Sequence, residues 1–477
     1  MIASPLSASV AVYVGKGLTR DGSVILAGFG DEPSSHWLVI EPRRNHPAGA
    51  TVRVGADASG GYGGIGLPGE LIGIPQVAQT FAYISMNYSH FAGFPAPLTN
   101  GGMNEHGVAV RDVALFSRRD LVAMTPDPQR GPQYSDIARL ALERARTARE
   151  ALDVAVELIE RHGFTTYGGN SHVFADADEG WVLLEFAGGK GLWVARRLGP
   201  DEVWLNWRGY HGIGYVQALP ADWRDNPDYL ASDNFVSFAR EQGWSEAGIG
   251  APFPVIDSYA RPDQYSRESA DEALAVQAAV REAAPDVTPK LLMKLLHASG
   301  RDSSGYAQVA HLRQSIHPEL RTLWVAAGPP LTAPFVPWRI GVRSVPPEYR
   351  EHRYLTVGSA TTTVDPAQRG VESTRYANRL VKRLLYLVEE HRDEFLPEVS
   401  AALGDFDDRQ IAAQARIERI AEVLFDAGED DLARQYLTER AHAAADDGMR
   451  LMQALAASIE MRTRLKHGIR TATDPAR

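Results

Sequence analysis

The stretch Ser9-Val-Ala-Val-Tyr-Val-Gly-Lys16, followed by Thr19-Arg-Asp-Gly-Ser23 and Val24-Ile-Leu-Ala27, decides the fold class. Both apolar runs are rich in β-branched residues and read as strands, and the polar segment with Asp21-Gly22 between them reads as a turn. Strands joined this tightly run antiparallel, because a parallel crossover needs a dozen residues or more. The same pattern returns where Val173-Phe-Ala175 and Trp181-Val-Leu-Leu184 flank the turn Asp176-Ala-Asp-Glu-Gly180. Other strand-like runs fall at 37–40, 80–86, 108–113, 192–195 and 323–327, most of them bounded by Gly, Asp or Pro.

Helical periodicity separates these strands. Residues 135–162 form one block, and inside it Thr147-Ala-Arg-Glu150 has capping-box spacing, so a second helix starts there. Leu152, Ala155, Val156 and Ile159 then recur at three and four residues, and Gly163 ends the run. Residues 281–297 are expected to form another helix. Beyond about residue 366 the chain becomes long, charged and helical in period over 375–395, 408–427 and 431–466, with Gly404 and Gly428 as breaks. The expected organisation is a possible leader at 1–8, an α+β domain over 9–365, and a helical C-terminal extension over 366–477 packed on it.

Composition narrows the function. Of the 477 residues, 44% are hydrophobic and 23% charged, which is ordinary for a globular chain. Lys+Arg 49 against Asp+Glu 60 leaves −11, which argues against nucleic acid as a partner. No run of 18 apolar residues occurs, so no membrane span is expected, and the first residues lack the basic start of a signal peptide. A cytoplasmic protein is the expectation, with self-association into a homo-oligomer left open. Cys is absent, which excludes disulfides, thiolate metal sites and a cysteine nucleophile. There is no G-x-S-x-G elbow, Walker loop, H-E-x-x-H or dinucleotide fingerprint. Gly60-Gly-Tyr-Gly-Gly-Ile-Gly66 lacks a strand–loop–helix frame and reads as a loop. His residues show no ligand spacing, and His36 and His211 read as ordinary polar residues; neither a metal nor another cofactor is expected.

The informative pattern is distributed. After the opening hairpin come Gly101-Gly-Met-Asn-Glu-His-Gly-Val-Ala109, Arg146-Thr-Ala-Arg-Glu150, Gly169-Asn170, Ala175-Asp176, Trp181-Val-Leu-Leu-Glu185 and Trp193-Val-Ala-Arg196. Leu323-Trp-Val-Ala-Ala-Gly-Pro329, Phe335-Val-Pro337 and Leu387-Val-Glu-Glu-His391 follow. In this order the chain resembles the dipeptidase/secernin family of N-terminal-nucleophile (Ntn) hydrolases, over nearly its whole length. The resemblance implies a four-layer αββα sandwich in which the first residue of the mature chain attacks the carbonyl of a dipeptide. In relatives that residue is a Cys; counting back from Asp21-Gly22-Ser23, its place falls on Ser9. A serine hydroxyl is far less acidic than a thiol and needs a base, which a free α-amine at residue 9 would supply. An amide nitrogen cannot, so catalysis by Ser9 demands cleavage after Ala8.

A second departure follows the turn. Relatives carry Arg-Asn-x-Asp there, and the Arg and Asp orient and tune the nucleophile; this chain reads Gly28-Phe29-Gly30-Asp31. Removal of one electrostatic group from such a site costs about 2.7–4 kcal/mol. By the same resemblance Asn206 is the candidate oxyanion donor, and Asn104, which with Glu105 matches a motif more structural than catalytic in character, is a candidate binding residue. Trp207, beside Asn206, is a candidate for lining the pocket, whereas the other Trp residues are expected between the layers. The expected function is therefore dipeptidase-like hydrolysis or acyl transfer on a dipeptide or small N-acyl amino acid, through Ser9, Asp31 and Asn206. The alternative is a family member repurposed as a binding protein, or as an enzyme without a covalent acyl intermediate.

Overall fold

The computed structural model describes residues 9–31, 36–62, 65–89, 92–208, 214–248, 250–261, 267–300, 304–350 and 376–468. Its principal strands are β1 (Val10–Val14), β2 (Val24–Phe29), β3 (His36–Glu41), β4 (Tyr83–Tyr88), β5 (Leu98–Asn104), β6 (Ala109–Val113) and β7 (Gly169–Ala175). They continue with β8 (Gly180–Phe186), β9 (Trp193–Leu198), β10 (Val203–Trp207), β11 (Tyr229–Ala231), β12 (Ala307–Leu312), β13 (Thr322–Ala326) and β14 (Phe335–Arg339). A six-stranded antiparallel sheet has the order β10-β1-β2-β12-β13-β14, and an eight-stranded one runs β11-β9-β8-β7-β6-β5-β4-β3.

The two sheets lie face to face, β6 and β7 passing over β1 and β2. Helices α1 (Tyr134–Arg144) and α2 (Ala148–His162) cover the outer face of the eight-stranded sheet. On the outer face of the other sheet, α3 (Arg267–Ala283) packs against β10 and α4 (Pro289–Ser299) against β2 and β12. The architecture is α+β, a four-layer αββα sandwich. Because β1 and β2 are covered on both faces, Val-Ala-Val-Tyr-Val and Val-Ile-Leu-Ala are buried without alternation.

Local chemistry sets the joints. At the first turn Gly22 has φ +72°, a conformation that favours glycine, and the Asp21 carboxylate accepts from the Ser23 amide (3.2 Å) and hydroxyl (2.6 Å). The Thr147 hydroxyl accepts the Glu150 amide at 3.1 Å, which starts α2 three residues after α1 ends. Gly163, at φ +87°, closes it.

Two expected helices differ. The run 281–297 is divided between the end of α3 and α4: Pro285 has no N–H to give a helix and disfavours helical backbone at Ala284. In the C-terminal region α5 (Ala377–Glu390), α6 (Arg392–Asp426) and α7 (Asp430–His467) pack together, and α6 and α7 lie against β14. Gly404 does not break α6, since one glycine costs only about 1 kcal/mol in a helix held by packing. Gly428, at φ +75°, does end it. Among the described residues, no helix is long and apolar enough to cross a membrane.

Candidate active site

Val10 pairs with Trp207 on one side and Phe29 on the other, so Ser9 lies between Arg208 and Gly30 at the head of β1. The Arg208 amide donates to the Ser9 carbonyl at 2.9 Å, and Ser9 is 8% exposed. Strand alternation puts Ser9, Ala11 and Tyr13 on the face toward the eight-stranded sheet. Tyr13 fixes this assignment: a Cβ on Gly180 of β8 would lie 2.7 Å from its ring. The same face carries Asn206 and Arg208 beyond β1's one edge, and Gly28 with Gly30, then Gln308 with Tyr306, beyond the other.

Polar side chains gather here between the sheets. Asn206 is fully buried; its amide donates to the Ser171 hydroxyl at 3.1 Å and its carbonyl accepts the Trp204 indole N–H at 2.7 Å. Ser171 in turn donates to the Val113 carbonyl at 2.7 Å. Arg208 and Asp31 form an ion pair whose side chains are 13% and 9% exposed, and the guanidinium lies 5.3 Å over the Phe116 ring. Across β2, the Gln308 amide donates to the Val110 carbonyl (2.9 Å) and the Tyr306 hydroxyl to the Gly101 carbonyl (3.3 Å). Arg111, fully buried on β6, stacks 5.0 Å over the Tyr306 ring. His36, read as an ordinary polar residue, is buried with its ring 5.7 Å from that of Tyr306.

The site therefore brings Ser9, Asp31 and Asn206 to one end of the inter-sheet layer. It does not bring Asn104 or Trp207. The Asn104 amide donates to the carbonyls of Leu142 (2.9 Å) and Ala145 (2.7 Å), and its oxygen accepts the amides of His106 and Val108. All its capacity ties the β5–β6 turn to α1, leaving none for a ligand. Trp207, 1% exposed, alternates with Asn206 and so faces α3 on the opposite side of the sheet as core. The candidate leader at 1–8 and His211 lie outside the described residues.

The missing guanidinium of the Arg-Asn-x-Asp pattern has a steric counterpart. A Cβ on Gly28 would stand 2.1 Å from the Val10 carbonyl oxygen, so this pairing of β1 with β2 admits no side chain there. Cations enter from elsewhere: Arg208 from β10's end and Arg111 from the facing sheet. Sequence reasoning passed over both. For Arg111 the available signal was the adjacent charges Arg111-Asp112 inside Val108-Ala-Val-Arg-Asp-Val113, a run otherwise apolar enough to be buried on both faces.

Behind the site, on the helix-covered face of the eight-stranded sheet, lies a buried acidic–histidine group. His172 Nε2 lies 3.0 Å from the Tyr134 carbonyl and Nδ1 2.6 Å from the Glu185 carboxylate. Since a carbonyl only accepts, Nε2 carries a hydrogen, and a further proton lies between Nδ1 and Glu185. Burial alone would push the imidazole down, but the charge and hydrogen bond of Glu185, with Asp112 adding, hold its pKa above the ordinary histidine value. Burial pushes the Asp112 carboxyl up; the Asn170 amide donates to it at 3.1 Å.

The four-layer αββα sandwich thus carries a hydroxyl-bearing residue at the head of a central strand, with amide and guanidinium donors beside it. The chain belongs to peptidase family C69, whose model matches residues 8–272. It is thus a peptidase or amidohydrolase. Among solved structures it is similar to two variants of conjugated bile acid hydrolase from Clostridium perfringens. For one the identity is 10% and the TM-score 0.33, over 73% of this chain and 97% of that one. For the other they are 11% and 0.32, over 67% and 89%.

Proposed function

We propose that this amide hydrolase acts on a dipeptide or small N-acyl amino acid, by hydrolysis or acyl transfer, with Ser9 as nucleophile once residues 1–8 are removed. The observation that carries the reading is the placement of Ser9, its carbonyl held by the Arg208 amide and its side chain on the face shared with Asn206. The freed α-amine, with an ordinary pKa of about 7.7–8.0, takes the hydroxyl proton as Oγ attacks the substrate carbonyl. The Asn206 amide has a second N–H for the oxyanion, and the Asp31–Arg208 pair holds the strand head. The amine then returns the proton to the leaving nitrogen, and water, or an acceptor amine in acyl transfer, releases the acyl group from Ser9. A cytoplasmic setting without membrane partners belongs to the same reading, and the net charge of −11 argues against nucleic acid as a partner.

Intact mass, N-terminal sequencing and a dipeptide assay test it together. The expected results are a chain starting at Ser9 and a loss of at least about 10³-fold in kcat for Ser9→Ala. A purified, active protein that retains residues 1–8 would remove the amine base and leave the repurposed, non-covalent alternative.

A further inference from the structure

We infer that Arg111 is a carboxylate anchor: a subsite between the sheets that binds the free carboxylate of the small amide substrate. The inference rests on the proposed function for the identity of the substrate, and on Arg111's surroundings for everything else. The side chain is 0% exposed, yet among the described residues Nε, Nη1 and Nη2 have no hydrogen-bond partner. A guanidinium carries five donors and remains charged in proteins, so its burial without an acceptor is costly and calls for a function.

Nearby acids are committed elsewhere. Asp31 pairs with Arg208, and Asp112, though next in the chain, lies on the opposite face of β6 with Asn170. The charge of Asp112 is felt by Arg111, but among the described residues no carboxylate accepts a hydrogen bond from the guanidinium. Its partner on β5 is Gly101 and the facing β2 presents Gly28, positions where a Cβ would meet neighbouring backbone at 1.9 and 2.1 Å, so neither brings a side chain to this layer. The Tyr306 ring, 5.0 Å away, orients the guanidinium plane. A planar fork held against a ring suits a flat, two-oxygen anion bound through two parallel N–H···O bonds. A substrate bound this way carries its carboxylate at the end away from the amide that meets Ser9.

The test uses levulinate, which has the outline of N-acetylglycine with CH₂ in place of N–H and contains no amide to hydrolyse. Its neutral control is 4-oxopentanamide. Calorimetric titration of the purified full chain is expected to show levulinate binding at least about 10-fold more tightly than the amide. Arg111→Met should abolish that preference, weakening levulinate about 10- to 100-fold. The unliganded variant should melt at a higher temperature than the parent, because an unpaired buried cation has been replaced by an apolar chain of similar length. Arg111→Lys keeps the charge but loses the fork, and should retain a reduced preference even if the Met variant does not fold.

Equal binding of levulinate and its amide by the parent protein overturns the inference, as does an undiminished preference in Arg111→Met. Tighter binding of inorganic phosphate than of levulinate overturns it too, since the site would then be a tetrahedral-anion site. Ser9→Ala should leave the levulinate preference in place. A failure of covalent catalysis is therefore read from turnover, and a failure of the anchor from binding.

Discussion

Arg208 and Asp31 are 177 residues apart in the chain and meet beside Ser9 with both side chains largely shielded from water. Removing either partner breaks the ion pair, and for a buried pair that costs about 3–5 kcal/mol. Arg208→Met and Asp31→Asn are each expected to lower stability by about that amount, and the double variant by much less than the sum. Urea unfolding of the four proteins measures the coupling; strictly additive losses would mean that the pair contributes nothing. The His172–Glu185 contact supplies a pH prediction. An imidazole whose folded pKa is raised adds stability that is fully present below its unfolded value of about 6.5 and is lost as pH rises through the raised value. Glu185→Gln removes the carboxylate that raises it, and burial then favours the neutral ring. The variant is expected to lose more stability relative to the parent near about pH 5.5 than near about pH 8.5. Equal losses at the two values would show that His172 is not charged in the folded protein.

At the scale of elements, β2 is the strand whose composition has a steric cause. A Cβ at Gly28 would meet the Val10 carbonyl oxygen at 2.1 Å, and the backbones of both residues are fixed by strand pairing on each side. Gly28→Ala should therefore cost about 1–3 kcal/mol or more, the scale of overpacking a tight core, and lower the melting temperature measurably. A neutral outcome would show that β1 and β2 can slide apart here. The hairpin containing this strand could be read in advance because its signals are local: Asp21-Gly22 fixes the turn, and the apolar runs on either side fix the strands. The same holds for α2, announced by Thr147, Glu150 and Gly163. The division at residues 284–288 was missed because the apolar spacing around Pro285 continues a helical period that the proline itself cannot join. The candidates Ser9, Asp31 and Asn206 were reached through the family resemblance rather than through any local signal. The pairing of Arg208 with Asp31 and the stacking of Arg111 on Tyr306 depend on which strands become neighbours, which no local signal encodes. Asn104 misled for the converse reason: an Asn-Glu turn motif looks the same whether its amide meets a ligand or, as here, the carbonyls at the end of α1.

For the whole molecule, the question is what the C-terminal helices contribute. Phe395, Val399, Leu403 and Phe406 of α6, with Leu437, Met449, Met452 and Ile459 of α7, are buried in the same apolar core as Val336 and Trp338 of β14. Charge pairs stitch the same surfaces: Arg313 binds Glu418 through two nitrogens at 2.9 and 2.6 Å, and Arg434 binds Glu319 at 2.7 and 2.5 Å. At about 1.5–3 kcal/mol for each large apolar side chain, exposing those eight would outweigh the roughly 5–15 kcal/mol by which a protein is ordinarily stable. Exposed ion pairs are worth far less, so packing rather than charge decides the outcome. The helices therefore complete the outer layer over β14 and are not an appendage to a finished domain. A chain ending at residue 350 is expected to lose cooperative unfolding, bind a hydrophobic dye and be cut by protease within the six-stranded sheet. Because β1 lies in that sheet, its Ser9 site should be lost with it, and levulinate binding should disappear along with dipeptide turnover. A truncated chain that unfolds in one sharp transition and still binds levulinate would place the helices outside the folding unit.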